Sequence, residues 1–254
     1  MRKICVVILF MAAGAFLMPT GPRAQWKTHW SYEGAEGPAH WGDLDPAYAP
    51  CRDGKEQSPI DIRNAVKADL PELKFDFKNG PITIVNNGYT AVRLNYAKGN
   101  GNFVDVGTRR YELTQFHFHH PSEEQIQGNT YDMVIHFMLA SSDGKTAGVA
   151  VMVKAGRANA TVEQLWKYMP PTAGPEHEIP GATVNPAGLL PRDTAYYEYM
   201  GSVTAPPCTE GVEWFVLKTP VEISREQIEE FAKLYPHDVR PVQPQNGRVV
   251  KESR

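Results

Sequence analysis

The chain has 254 residues, 42% of them apolar and 22% charged, with a formal net charge of −3. Eleven Tyr, ten Phe and five Trp exclude a disordered chain and supply enough apolar surface for one sizeable core. There is no basic excess to neutralise phosphates, which argues against a nucleic-acid partner, and 21 Gly with 21 Pro imply many turns but no fibrous repeat.

In chain order, Arg2 and Lys3 precede an uncharged run from Ile4 to Leu17, followed by Pro19, Gly21 and Pro22. A positive start, an apolar middle and a breaker make the layout of a secretory signal peptide. At about 14 residues the run is short for a bilayer anchor. Residues 1–24 are therefore read as a signal cleaved after Ala24, and 25–254 as a single exported domain, periplasmic or secreted, without stable membrane insertion. Removing the three basic residues of the signal takes the net charge to −6. It also removes Cys5 and leaves Cys51 and Cys208, which in an oxidising compartment most simply form one disulfide, the alternative being two free thiols. Closing a loop of about 157 residues is worth up to roughly 5 kcal/mol in the chain-entropy picture.

Alternating or β-branched apolar runs then recur at Ile82–Val85, Ala91–Leu94, Phe103–Val106, Leu113–His119, Met133–Leu139, Val149–Val153 and Trp214–Leu217. Gly, Asn and Asp clusters such as Asn86-Asn87-Gly88 and Ser142-Asp143-Gly144 punctuate them, the pattern of a mainly β protein. Thr161 with Gln164, and Ser224 with Gln227, form capping-box patterns ahead of two short amphipathic helices. Residues 169–194, with six prolines, read as mostly loop.

The histidines carry the chemistry. In Gln115-Phe116-His117-Phe118-His119-His120, strand periodicity puts 115, 117 and 119 on one face and Phe116, Phe118 and His120 on the other. His136 lies in a second apolar run. Three imidazoles from two strands read as a metal site, and three neutral nitrogen ligands leave zinc one open position, the catalytic arrangement. His29, His40, His177 and His237 carry no comparable pattern. A competing reading takes His117-x-His119-x3-Glu123 as a cupin metal motif. The glycine expected six residues before the first histidine is Tyr111, however, and no Pro-x-Gly precedes His136.

Ordered blocks decide between them: Gln57-Ser58-Pro59-Ile60-Asp61-Ile62, Asn86-Asn87-Gly88, Gln115–His119, Pro121-Ser122-Glu123, His136, Gly201–Cys208, Trp214 and Arg240-Pro241-x-Gln243-Pro244. From about His29 to Val250 the chain resembles the α-class carbonic anhydrases, particularly secreted bacterial members. The resemblance implies a large, twisted, predominantly antiparallel sheet with a few short helices and long surface loops. It implies an exported lyase that interconverts CO2 and bicarbonate by attack of zinc-bound hydroxide, and it leaves a homodimer open. His117, His119 and His136 would hold Zn2+, which in carbonic anhydrases lowers the pKa of its water to about 7. Thr204 would accept a hydrogen bond from the hydroxide and donate to Glu123, and Gln115 would orient His117 from behind. Met138, Val203, Val212 and Trp214 would form the apolar wall of the substrate pocket, with Gly148 and Ala205 at two further family positions. Cys51 and Cys208 sit where bacterial members look to be bridged.

The chain also departs from that pattern. The proton-shuttle histidine after Asn-Asn-Gly is Tyr89 here. The glutamate that supports the third zinc ligand falls at Val134, Gly148 replaces a wall valine, Ala205 follows the gatekeeping threonine, and Glu124 stands where a histidine often follows the glutamate. The expectation is a working site with an altered pocket and altered proton transfer. The alternatives from other classes are a zinc-retaining binding protein whose catalysis has decayed and a cupin-like oxygenase.

Overall fold

The computed structural model describes residues 28–90 and 92–254. The expected signal segment and its cleavage point lie outside the described residues. Among the described residues fourteen strands form in chain order. The first seven are β1 (Asp61–Ile62), β2 (Val66–Lys67), β3 (Leu73–Asp76), β4 (Gly80–Val85), β5 (Arg93–Asn95), β6 (Phe103–Val106) and β7 (Arg109–His119). The others are β8 (Gln125–Ile126), β9 (Met133–Ser141), β10 (Thr146–Ala155), β11 (His177–Val184), β12 (Tyr196–Ser202), β13 (Glu210–Ile223) and β14 (Lys251–Glu252). Short helices are α1 (Trp41–Leu44), α2 (Pro50–Asp53), α3 (Ala160–Trp166) and α4 (Arg225–Ala232).

Twelve strands join in one sheet, whose long path runs β11-β4-β5-β7-β9-β10-β13-β12-β14-β2, with β6 and β3 continuing from β7. All its pairs are antiparallel except β10 with β13 and β14 with β2. β1 and β8 form a separate parallel pair. The fold is the mainly β sheet expected from the run spacing. Alternation sorts the central strands onto two buried faces. One holds the main core, including Phe116, Phe118, Ile135, Phe137, Val149, Val151, Phe215 and Leu217. The other holds Val134, Ala150, Met152, Val212, Trp214 and Val216.

A single bulge decides which face receives the histidines. Along β7 the buried core residues are Tyr111 and Leu113, then Phe116 and Phe118. The parity changes because the register against β9 slips between Leu113 and Gln115, leaving Thr114 as the extra residue. Without it, His117 and His119 would share the side of Tyr111 and Leu113. With it, they turn to the second face.

Two local expectations need correction. Residues 169–194 are not all loop, because β11 pairs with β4 at the sheet's edge. Its register shifts between Glu178 and Thr183, where Pro180 and Gly181 (φ 74°) sit. Proline is tolerated on an edge strand and at a bulge, so proline count alone did not exclude a strand. The first turn of α3 is capped by Asn159, whose side chain accepts the amides of Thr161 and Val162, and not by Thr161. The Ser224–Gln227 capping box at α4 forms as expected.

Candidate metal centre

Register brings the third histidine to the first two. His117 on β7 lies directly opposite His136 on β9, and His119 lies two residues further along β7. One ring nitrogen from each of the three lies within 4.8 Å of the others. What stands behind each ring decides which nitrogen that is. His117 Nδ1 lies 2.8 Å from Gln115 Oε1 and His119 Nδ1 lies 2.6 Å from the Asp238 carbonyl, so both turn Nε2 inward, where the two nitrogens are 2.9 Å apart. His136 is reversed: its Nε2 lies 3.0 and 3.1 Å from the two carboxylate oxygens of Glu124, and its Nδ1 is buried without a hydrogen-bond partner. Burial, then the neighbouring imidazoles, hold His117 well below the ordinary histidine range and His119 at about 3. Neutral rings with bare inward nitrogens are what metal ligation requires. For His136 burial lowers the pKa, but Glu124 and Glu123 together outweigh it and the net shift is upward.

The departure from the family pattern that left the third ligand unsupported was Val134, where its glutamate was expected. The structure corrects this, since the support comes from the loop before β8 and not from Val134. Asp238 was missed altogether. Its contribution is a backbone carbonyl, which any residue type can supply, so only the fold could reveal it. Arg240, in the same segment, donates its backbone N–H to Glu123 Oε1 at 2.8 Å. Its guanidinium, also buried, donates to Gln57 Oε1, the Ser58 carbonyl and the Cys51 carbonyl at 2.8, 2.8 and 2.9 Å.

Glu123 is buried, with Oε2 lacking a formed hydrogen bond, 3.5 Å from His119 Nε2 and 3.9 Å from His136 Nδ1. Burial, with Glu124 beside it, raises its pKa to about 7 against the opposing pull of His136, the Arg240 N–H and the Thr204 side chain. Tyr32, another residue the sequence did not mark, packs close by, its hydroxyl pKa pushed well up by burial and then by Glu123 and Asp238.

The expected wall residues fall in rows across the sheet. Gly148 pairs with Met138 on one side and with Trp214 on the other, beside the row in which Ala150 pairs with His136. The Trp214 ring lies 4.8 Å from that of His136, centroid to centroid. Val212 and Trp214 belong to the second apolar cluster, with Met138 and Val203 packed against it. A Cβ at Gly148 would come within 2.6–2.9 Å of three atoms of the Trp214 ring, so Trp214 fills the space where the family has a valine. Ala205 packs instead with Tyr89 against a cluster of Trp30, Trp41, Tyr48 and the Cys51–Cys208 disulfide. Tyr89 stacks on Trp30 at 3.8 Å and 6°, and burial raises its pKa further above 10.0. The tyrosine itself is therefore a poor proton relay near neutrality, and the one imidazole beside it among the described residues is His29, whose ring centroid lies 6.3 Å away. Among the described residues no helix is long and apolar enough to cross a membrane.

The fold and this geometry together define a β-sheet protein built around three imidazoles that could hold one metal ion. A family profile for eukaryotic-type carbonic anhydrase matches residues 36–254. A carbonic anhydrase from Neisseria gonorrhoeae is 42% identical over 226 residues, covering 89% of this chain and 88% of that protein. The solved structure of the α-carbonic anhydrase from Thermovibrio ammonificans in complex with the inhibitor sulfanilamide has a TM-score of 0.84 at 42% identity, covering 89% of this chain and 99% of that one. Dioscorin complexed with ascorbate matches with a TM-score of 0.82 at 31% identity, covering 88% of this chain and 97% of that one. The chain belongs to the eukaryotic-type, or α, carbonic anhydrase family and is an enzyme of the lyase class.

Proposed function

We propose that this chain hydrates CO2 reversibly to bicarbonate and a proton, with Zn2+ held by His117 Nε2, His119 Nε2 and His136 Nδ1. The observation that carries the reading is the convergence of those three nitrogens, each ring held from behind by an acceptor. The buried, partnerless Nδ1 of His136 and the neutral, all-nitrogen donor set fit a zinc site with one open position. Zinc supplies the Lewis acidity that makes water a nucleophile near neutral pH.

The chain's own residues supply direction. Arg240 N–H occupies Glu123 Oε1 and leaves Oε2 to accept from Thr204. An ionised carboxylate can only accept, so the Thr204 hydroxyl must donate to it, and its oxygen lone pair is then left to accept a hydrogen bond from the nucleophile. With a divalent cation held by the three imidazoles, Glu123 would keep its ionised form against the upward pull of burial. Met138, Val203, Val212 and Trp214 give an uncharged, apolar substrate a wall it does not have to dehydrate polar groups to reach. Residues 1–24 act as the export signal of a single domain over 25–254, which agrees with a disulfide that needs an oxidising compartment. Metal analysis and stopped-flow CO2 hydration on the mature chain test the reading. One zinc per chain and activity lost in His119→Ala are expected. Full zinc occupancy in the variant with all three histidines replaced by Ala overturns it.

A further inference from the structure

We propose that Glu124 is the positioning residue for the third metal ligand, holding His136 as the Nε2–H form so that Nδ1 is the atom offered to the metal. The proposal rests on the zinc reading above. Both Glu124 oxygens lie at hydrogen-bond distance from one ring nitrogen, 3.0 and 3.1 Å from Nε2. A carboxylate has no proton to give, so that nitrogen must carry one, and in the neutral ring a metal would bind Nδ1 is then bare. Nδ1 is also the His136 atom that is buried without a partner among the described residues.

Glu124 has no other visible purpose where it stands. It is fully buried, and among the described residues its carboxylate meets no Lys or Arg; His136 is its one ion-pair partner. An isolated carboxylate in such a place costs several kcal/mol in general, so it does not stabilise the fold by itself. A cation held on the far side of the imidazole would match that charge. The other two ligands rest on neutral acceptors, the Gln115 amide and the Asp238 carbonyl. Among the described residues Glu124 is therefore the one carboxylate at hydrogen-bond distance from the outer nitrogen of a ligand ring, the Asp238 carboxylate lying 3.9 Å from His119 Nδ1. The nearest position on the ligand's own strand face, two residues before it, is Val134, and Val134 is committed to the apolar cluster with Ile60, Ala150 and Trp214. The acidic support thus reaches His136 from a different segment of the chain.

The test is zinc affinity of the full mature chain, measured by chelator competition with circular dichroism as the control for folding. Outer partners of metal-bound histidines typically contribute 10–100-fold in affinity. Glu124→Gln keeps the shape and one acceptor but loses the charge, and should weaken zinc binding several-fold. Glu124→Val should weaken it by roughly 10–100-fold. The exchange Glu124→Val with Val134→Glu returns the carboxylate from the strand and conserves side-chain atoms, and should recover most of the loss. Nitrogen-15 NMR of zinc-loaded protein should show a protected Nε2–H on His136 that is lost in Glu124→Val. If Glu124→Val does not fold, the isosteric Gln variant decides. Zinc affinity within twofold of wild type in Glu124→Gln overturns the proposal. A wild-type chain that takes up no zinc instead overturns the zinc reading beneath it.

Discussion

Gly148→Ala adds one methyl group where the structure has none to spare. The new Cβ would lie 2.6, 2.7 and 2.9 Å from Cζ3, Cε3 and Cη2 of Trp214. That ring cannot easily withdraw, because Trp214 is 1% exposed, its Nε1 donates to the Ser202 carbonyl at 2.9 Å, and it packs on His136. Gly148 is not in the left-handed region, so loss of backbone freedom in the unfolded chain would by itself stabilise the variant by about 0.4–1 kcal/mol. Overpacking of a filled core costs about 1–3 kcal/mol. The second effect wins, leaving a net destabilisation of about 1 kcal/mol and a Tm lower by roughly 2–4 °C for a domain of this size. Gly174→Ala is the internal control: nothing lies within 4 Å of its Cβ position, and its Tm should stay or rise. The assay is thermal unfolding of both variants, repeated in a Trp214→Phe background, where the Gly148→Ala penalty should shrink because the ring atoms it meets are displaced. A Tm for Gly148→Ala that rises as much as that of Gly174→Ala would refute the packing argument.

Thr204→Ala and Glu123→Gln should each lower kcat by roughly 10²-fold while zinc affinity stays near wild type, because they direct the nucleophile and do not hold the metal; loss of zinc from Glu123→Gln at ordinary chelator levels would make Glu123 a ligand. Cys51→Ser with Cys208→Ser removes a link between residues 157 apart and should cost up to about 5 kcal/mol in urea unfolding, with kcat falling as well because Cys208 anchors the turn after Thr204; equal stability of oxidised and reduced protein would contradict this. His119, held at about 3 in the fold against 6.5 when free, takes up no proton while the unfolded ring does. In chelator-treated protein the unfolding free energy should therefore fall as pH drops from 6.5 towards 3, and the fall should be shallower in His119→Gln. Because Tyr89 is stacked and its pKa lies above 10.0, turnover should rise with imidazole-type buffer, and Tyr89→His should raise it at low buffer; turnover that is flat across buffer concentrations would point to another relay.

Much of this molecule is local and therefore legible in the residues. Apolar runs marked each long strand around the centre, because a strand buried on two faces must be apolar on both, and His-x-His on such a strand must aim both rings at one side. Two cysteines left after an apolar leader implied the single bridge that the fold contains. Proline content misled at β11, since hydrogen bonding at an edge strand depends on which side of the strand is paired, and composition does not record that. Three things were decided only by the assembled sheet. The extra residue at Thr114 sets which parity of β7 faces the core, and it depends on how β9 pairs with it. The register that sets His136 opposite His117 joins residues 19 positions apart in the chain. The supports behind the rings come from the Asp238 carbonyl and the Glu124 carboxylate, and neither carries a signal in its own neighbourhood: a backbone oxygen belongs to every residue, and a second glutamate after Glu123 looks like a solvated pair until burial sets it against His136. Periodicity is a property of a segment, and the chain states it. Register and the far side of a ligand are properties of pairs of segments, and packing alone fixes them.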